Sequence, residues 1–251
     1  MVQKSEEYIE SLVAHATHHR AVYHPYLQSL KNGLFSDMNF AFKDFARQYF
    51  HYNINFSKFL RGILRQLGDS HDTGMLKENL KEEQGRISPS DLSLLEKRGI
   101  KPEWVVGIPH TELFQRFHDK MIPKQALSLE KPPDEALHWS YEFNILCSRQ
   151  GVACALGALG LGTELVVRPI YEQILEGIKK YTDCTLEERV FFEVHAILDE
   201  NHADVLKTQL LELQNDANHR EQMAFGMTQA LELRSQFFDQ LHFRAKNHDS
   251  V

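Results

Sequence analysis

The sequence predicts an all-α protein of about seven helices, and three features of the chain support this. Apolar residues recur at spacings of three and four in long stretches, which is the periodicity of helices with one buried face. No segment alternates between apolar and polar residues as a half-buried β-strand does, and no internal repeat is visible. The 251 residues, 42% of them hydrophobic, are enough for one domain with a large core. We therefore predict a single domain over residues 1–251.

Two helices are predicted in the first quarter of the chain. Residues 5–30 carry apolar side chains at helical spacing, and Pro25 either bends this helix or starts a new turn. The second helix is capped by Ser36 or Asp37 and extends through the aromatic residues between positions 40 and 64. Its density of aromatic side chains predicts that it lies deep in the core.

Two shorter helices, separated by polar sequence, are predicted in the middle of the chain. A third helix contains residues 75–85. Residues 86–106 are polar, with two prolines and a glycine, and are expected to form an excursion loop or a short extra helix. Residues 109–114 restart a helix, because a proline, a histidine and an acid stand in its opening turn. Residues 123–134 contain three prolines and are predicted to be a linker.

Three helices are predicted in the remaining chain. The first extends from about residue 134 to residue 180 and is expected to be interrupted near the glycines at 157–162, since glycine disfavours a helix interior. The next extends from Leu186 to about Leu213, and the last from Asn218 to Phe243.

Composition and charge exclude several classes of protein. The net charge is −7 without a basic block, which argues against a nucleic-acid surface. No apolar run reaches membrane-spanning length, and the acidic N-terminal residues do not form a signal peptide. The three cysteines form no C-x2-C pair, which favours a reducing compartment. We expect a cytoplasmic protein that binds neither nucleic acid nor membrane.

A triplet of metal-binding side chains is the strongest functional signal. On a helix, His195, Asp199 and His202 stand at i, i+4 and i+7 and share one face with Phe191 and Leu198. Ionisable groups on such an apolar face carry a desolvation penalty of several kcal/mol unless they are compensated. One metal ion compensates all three, because two imidazoles and a carboxylate suit iron, manganese or zinc.

Other inward-facing acids and histidines can join this triplet. Helical phase turns Glu83 inward and Glu82 outward, although Glu82 stays open as the alternative. Glu164 lies on an inward face, and His110 stands in the first turn of its helix. Together these groups supply three carboxylates and three imidazoles, which are enough to hold two metal ions. The paired Glu-x-x-His motifs of ferritin are absent.

Four motifs together resemble a known family in order and spacing. They are Asn79-Leu80-x-Glu82-Glu83-x-Gly85, Pro109-His110-x-Glu112-Leu113-Phe114, Glu164 before Arg168-Pro169-Ile170, and Phe191-Phe192-x2-His195-x3-Asp199-x2-His202-Ala203. The sequence is similar to the haem-oxygenase-like di-iron oxidases and oxygenases. This resemblance implies a haem-oxygenase-like helical bundle and six iron ligands: Glu83, His110, Glu164, His195, Asp199 and His202.

The resemblance also implies two Fe(II) ions, O2 as co-substrate and no catalytic residue beyond the metal ligands. Members of the family include a para-aminobenzoate synthase, an alkene-forming fatty-acid decarboxylase, amino-acid N-oxygenases and a tryptophan-derived nitrile synthase. The reactive tyrosine and lysine of the synthase fall at Leu27 and Ile174, so its self-sacrificing chemistry is not carried over. We expect oxidation of a small amine- or carboxylate-bearing substrate, with an amino acid favoured.

Substrate-binding residues are predicted from charge and from apolar lining. Arg168 is one turn after Glu164 and is the first choice for a carboxylate clamp, ahead of Arg47 and Arg149, because guanidinium binds carboxylate in a bidentate manner. An apolar and aromatic pocket is predicted from six further residues: Phe42, Tyr49, Phe56, Leu159, Leu161 and Tyr171.

Three alternatives stay open at this point. The first is a fatty-acid oxidative decarboxylase of the same fold. The second is a metal-free, thiaminase-like hydrolase that uses Cys154 or Cys147 as its nucleophile. The third is a non-catalytic metal-binding or partner-binding helical protein. An external reductant and a homodimer are compatible with the family, but neither has a signature in the sequence.

Overall fold

The computed structural model describes residues 2–68, 73–122, 134–198, 210, 213 and 216–248. All regular secondary structure in these ranges is helical, which confirms the all-α prediction. The helices, in chain order, are α1 (Val2–Thr17), α2 (Pro25–Asn32), α3 (Met38–Asn53), α4 (Phe56–Leu67), α5 (Gly74–Glu83), α6 (Pro89–Glu96), α7 (Pro102–Val105), α8 (His110–Met121), α9 (Asp134–Arg149), α10 (Val152–Leu156), a π-helix (Gly157–Glu164), α11 (Leu165–Tyr181), α12 (Val190–Leu198) and α13 (Ala217–Asn247).

The first predicted helix is divided in two. Helix α1 ends at Thr17, and Pro25 begins α2 as its first residue. The His24 side chain caps α2 by accepting a hydrogen bond from the backbone N–H of Tyr26, and Gly33 ends the helix with φ +68°. Of the two alternatives for Pro25, the structure therefore shows the new start.

The long aromatic helix predicted between residues 40 and 64 is also divided. Asp37 caps α3 by accepting from the Phe40 N–H, so the aspartate is the cap that the structure uses. The helix then ends at Asn53, and Asn55 Nδ2 donates a hydrogen bond to the His51 carbonyl. This side chain competes for a carbonyl that a continuing helix would use, which explains a break that apolar periodicity does not reveal.

The polar stretch at 86–106 forms two short helices, α6 and α7, each beginning with a proline. The proline-rich linker at 123–133 lies outside the described residues. The same is true of most of the segment after α12, so the predicted extension of that helix to Leu213 remains a prediction.

The long helix predicted from about residue 134 to residue 180 is interrupted, but not at residues 157–162 as expected. The break lies earlier, at Gly151, whose φ of +91° separates α9 from α10. The glycine-rich stretch instead continues as the π-helix and leads directly into α11. The Val152–Tyr181 stretch is apolar and long enough to cross a membrane, but 83% of its most apolar window is buried inside the protein, as in a core helix.

Glycines allow the π-helix to pack directly against α13. A Cβ on Gly157 would lie 2.2 Å from the Met223 carbonyl oxygen, and one on Gly226 would lie 2.0 Å from the Cys154 carbonyl oxygen. The two backbones are therefore in contact without intervening side chains. This contact fixes the position of the π-helix, whose last residue is Glu164.

The buried side chain of His24 is expected to make the folded protein less stable in mild acid. Burial, followed by the nearby Arg20 charge, lowers its pKa from 6.5 to about 4. Because the folded state favours the neutral ring, stability should be complete above pH 6.5 and should fall as the pH drops from there toward 4, by up to about 3 kcal/mol. The free energy of unfolding, measured by urea denaturation between pH 7 and 4, should depend less on pH in His24→Asn. An equal change in the exposed residue His15 should leave the slope unaltered, and an unchanged slope in His24→Asn would contradict the assignment.

Candidate metal centre

Three ionisable side chains from distant parts of the chain meet in the interior. Glu83 is the last residue of α5, His110 is the first residue of α8, and His195 lies in α12. All three are buried, with exposed fractions of 7–8%, and one ligand atom from each lies within 4.8 Å of the others. The cluster provides one carboxylate and two imidazoles, a donor set that suits iron or another first-row metal.

A close backbone contact brings Glu83 and His110 together. The Gly107 N–H donates a 2.8 Å hydrogen bond to the Gly85 carbonyl. Gly85 has φ +92°, and a Cβ at this position would lie 2.4 Å from the Ile108 nitrogen, so only glycine fits. The end of α5 and the start of α8 are thereby held side by side although they are 27 positions apart in the sequence.

Hydrogen bonds orient both imidazoles. His195 Nδ1 lies 2.6 Å from the Phe191 carbonyl, which can only accept, so Nδ1 carries the proton and Nε2 is the acceptor nitrogen of the neutral ring. His110 Nδ1 lies 3.0 Å from Glu83 Oε1, and the two rings are 4.8 Å apart between centroids. His195 is thus prepared as a metal ligand through Nε2.

Glu164 reaches the same cavity through the π-helix. The Thr163 hydroxyl donates to the Ala158 carbonyl five residues earlier, at 3.2 Å, and Thr163 and Glu164 are both buried. A π-helix advances fewer degrees per residue than an α-helix, so these adjacent residues can both border one cavity. The cavity has a volume of about 20 Å³, room for a water molecule or an ion. Its lining comprises Tyr49, Tyr52, Asn53, Phe56, Glu83, Thr163, Glu164, Val167, Tyr171, Phe191 and His195.

The structure thus brings together Glu83, His110 and His195, and it places Glu164 at the cavity that Glu83 and His195 line. Glu83 is buried and Glu82 is only half-buried, in agreement with the helical phase. Asp199 and His202, the other two predicted ligands, lie outside the described residues. The assignment of all six side chains as iron ligands remains a prediction.

The predicted substrate residues divide into two groups. Tyr49, Phe56 and Tyr171 line the cavity. Phe42, Leu159 and Leu161 are buried in the core but are not among its lining residues. Phe42, for example, packs against α11 close to Gly177.

Arg168 does not lie at the cavity. Its Nε donates a 3.1 Å hydrogen bond to Glu172, and it borders a separate groove on the outside of α11. The cavity-facing residues of this stretch are Glu164, Val167 and Tyr171, and Arg168 lies one step further around the helix, on the side that turns to solvent. Arg168 is thus not among the described residues that line the cavity, and its role as a clamp stays a prediction. Arg149, a weaker candidate, is exposed.

Sequence reasoning missed three polar residues at or behind the cavity. Asn53 and Thr163 line it, and Arg234 of α13 lies behind them, 1% exposed. A usable signal existed for Arg234, since Leu231, Phe238 and Leu241 lie on the same helix face and are all buried. An arginine on such a face is unusual enough to mark a functional position.

The thiol groups do not support a cysteine nucleophile. Burial raises the pKa of Cys154 to about 11 and that of Cys147 well above its ordinary value. A reactive cysteine needs a lowered pKa and access to its substrate. Neither residue lines the cavity, so the thiaminase-like alternative has no support at this site.

Comparison with known proteins adds to this geometry. Residues 43–235 match the family model described as iron-containing redox enzyme. The chain belongs to this family. The match covers α3 through most of α13 and therefore includes the whole cavity. It supports an iron-containing oxidoreductase and agrees with the buried donor set of the Glu83, His110 and His195 cluster.

Solved structures confirm the haem-oxygenase-like fold of this iron-containing redox enzyme. A CADD-like protein of unknown function from Nostoc punctiforme PCC 73102 is 17% identical with a TM-score of 0.74, over 97% of this chain and 99% of that chain. A second structure of it gives 15% identity and a TM-score of 0.71, over 99% of both chains. A domain of unknown function with a haem oxygenase-like fold from Shewanella denitrificans OS217 is 15% identical with a TM-score of 0.68, over 99% of this chain and 93% of that chain. No curated protein matches the sequence.

Proposed function

We propose that this protein is an O2-dependent non-haem di-iron oxidase or oxygenase that acts on a small amine- or carboxylate-bearing substrate, with an amino acid favoured. The observation that carries the proposal is the buried cluster of Glu83, His110 and His195, with Glu164 at the adjoining cavity, in an iron-containing redox enzyme. The proposal of two iron ions rather than one rests on the family resemblance of the motif that contains Asp199 and His202, and on the additional carboxylate of Glu164.

Iron bound at this cluster would supply the electrons for the reduction of O2. The Glu83 and Glu164 carboxylates would balance the charge of the metal ions. The hydrogen bond to the Phe191 carbonyl fixes the His195 ring with its proton on Nδ1, which makes Nε2 the nitrogen that could bind a metal. The aromatic side chains around the cavity exclude water from the site.

The proposed chemistry of the reaction is the one that the family resemblance implies. An amino-acid substrate would undergo N-oxidation or oxidative C–C cleavage, with a nitrile, oxime or alkene as product. A cavity of about 20 Å³ is smaller than an amino acid, so its lining side chains must move to admit the substrate. A fatty-acid oxidative decarboxylase is the second candidate, because six of the eleven lining residues are aromatic or aliphatic: Tyr49, Tyr52, Phe56, Val167, Tyr171 and Phe191. We further propose a cytoplasmic enzyme that uses an external reductant, and a homodimer remains compatible with the family.

The test is anaerobic loading with Fe(II), followed by addition of O2 and a panel of amino acids and fatty acids. O2 consumption and untargeted mass spectrometry of products are the readouts, with metal-free and zinc-loaded protein as controls. We expect iron-dependent O2 consumption coupled to loss of one amino acid from the panel. Consumption that depends on a fatty acid would favour the second candidate. Binding of iron without any reaction with O2 would contradict an oxidase or oxygenase.

A further inference from the structure

A buried cation lies behind the cavity. Arg234 is 1% exposed, and its guanidinium carbon lies 5.2 Å from the Trp139 ring centroid and 5.9 Å from that of Tyr52. Arg234 Nε and Nη1 have no hydrogen-bond partner among the described residues. A buried guanidinium is costly unless the surrounding groups use its charge. The Tyr49 hydroxyl is close enough to this guanidinium to accept a hydrogen bond from it.

Two tyrosines connect this cation to the cavity. The Tyr49 hydroxyl is hydrogen-bonded to the Tyr171 hydroxyl, and both residues line the cavity. The Tyr171 ring stands edge-on to His195, with 5.3 Å between ring centroids. The chain of groups therefore extends from Arg234 through Tyr49 to Tyr171 and ends beside a candidate metal ligand.

The donor and acceptor groups of Arg234, Tyr49 and Tyr171 determine the direction of the hydrogen bonds between them. Arginine can only donate, so Tyr49 accepts from Arg234. The Tyr49 proton then goes to the oxygen of Tyr171, its one hydroxyl partner among the described residues. Tyr171 has its acceptor site occupied in this way, and its own O–H is left to point at the cavity. The positive charge behind the pair favours a negatively charged acceptor there.

We propose that Tyr171 is a ligand-binding residue of the cavity that donates a hydrogen bond to an anion bound there, and that Arg234, acting through Tyr49, is the positioning residue that fixes this direction. The acceptor is an anionic oxygen, either of a substrate carboxylate or of a small anion derived from O2. In this proposal the cation that promotes anion binding is Arg234 rather than Arg168. This inference rests on the proposed iron site.

The experiment measures the Kd of azide and of acetate for the iron-loaded, air-oxidised protein by visible absorption, with neutral imidazole as a comparison ligand. Tyr171→Phe should weaken azide, acetate or both about tenfold, the scale of a hydrogen bond to a charged group, and should leave imidazole binding and iron content unchanged. A loss for acetate alone assigns the hydroxyl to a substrate carboxylate, and a loss for azide alone assigns it to a small anion. Tyr26→Phe is the matched control, because the Tyr26 hydroxyl bonds to the Ala41 carbonyl in the core.

A double-mutant cycle tests the positioning role. Without its guanidinium donor, Tyr49 can accept from Tyr171 instead, and Tyr171 then turns away from the ligand. Arg234→Met should therefore weaken anion binding strongly when Tyr49 is present, and much less in the Tyr49→Phe background. Equal losses in both backgrounds would overturn the positioning role. Should Arg234→Met fail to fold, Arg234→Lys, which keeps a donor and the charge, should retain wild-type anion affinity, and a tenfold loss in it would count against the proposal.

The outcomes separate this inference from the proposed function. Wild-type protein that never binds iron would overturn both. Normal iron content with unchanged azide and acetate affinities in Tyr171→Phe would overturn this inference alone.

Discussion

Replacing His195 by alanine is expected to weaken iron binding by at least about 100-fold and to abolish iron-dependent O2 consumption. His195 contributes the Nε2 lone pair of the Glu83, His110 and His195 cluster, and its Nδ1 proton is already held by the Phe191 carbonyl. Its loss removes one of the two imidazoles of this cluster, which lowers the affinity of the site for a metal ion. Iron content after anaerobic loading and desalting, together with the O2 electrode, measures both effects.

His118 provides the matched control for this substitution. It is also a buried histidine, 3% exposed, but it packs against Phe50 and contacts Asp119 rather than the cavity. His118→Ala should cost stability and leave iron content unchanged. Equal iron loss in the two variants would show that destabilisation, and not ligand loss, explains the result for His195.

The second large effect is expected from Gly226→Ala. The new Cβ would lie 2.0 Å from the Cys154 carbonyl oxygen and 2.8 Å from its carbon, both of them backbone atoms that cannot rotate away. Helix α13 would have to separate from α10, which continues into the π-helix, at a cost of about 3 kcal/mol. This cost exceeds the roughly 1 kcal/mol that alanine gains in helix propensity. The free energy of unfolding, from urea denaturation followed by circular dichroism, measures the difference.

Gly62→Ala is the comparison at a more tolerant position. A Cβ there would lie 3.1 Å from the Cys147 carbonyl oxygen and 3.2 Å from the Ser148 Cβ, so a small shift relieves the contact. We expect its stability to stay within about 1 kcal/mol of wild type. A Gly226→Ala variant as stable as Gly62→Ala would contradict the close packing of α13 on the π-helix.

The fold was predictable where it depends on amphipathic periodicity, and its interruptions were not. Periodicity places the helices because each must bury one face. The break after Asn53 depends on the Asn55 side chain taking the His51 carbonyl, and the break at Gly151 depends on a positive φ. Both are local competitions for backbone groups, which a pattern of apolar residues does not record.

The residues of the candidate site also divide into those that the sequence could predict and those that it could not. The inward direction of Glu83 and His195 follows from helical phase, which is reliable within one regular helix. The position of Arg168 outside the described lining of the cavity was not predictable, because the boundary of the cavity-facing side, one residue beyond Val167, is set by tertiary packing. Arg234 was overlooked because a cation on a buried face contradicts the usual pattern, and only the structure shows the tyrosines that accompany it.

Anaerobic titration of the purified protein with Fe(II), followed by metal analysis and Mössbauer spectroscopy, tests the central claim most directly. The buried donors Glu83, His110, Glu164 and His195 predict tight iron binding, and the resemblance predicts two ions per chain. The spectra should show high-spin ferrous iron with nitrogen and oxygen ligands that is oxidised on exposure to O2. Protein that retains no iron after desalting, with its helical fold intact, would contradict the claim.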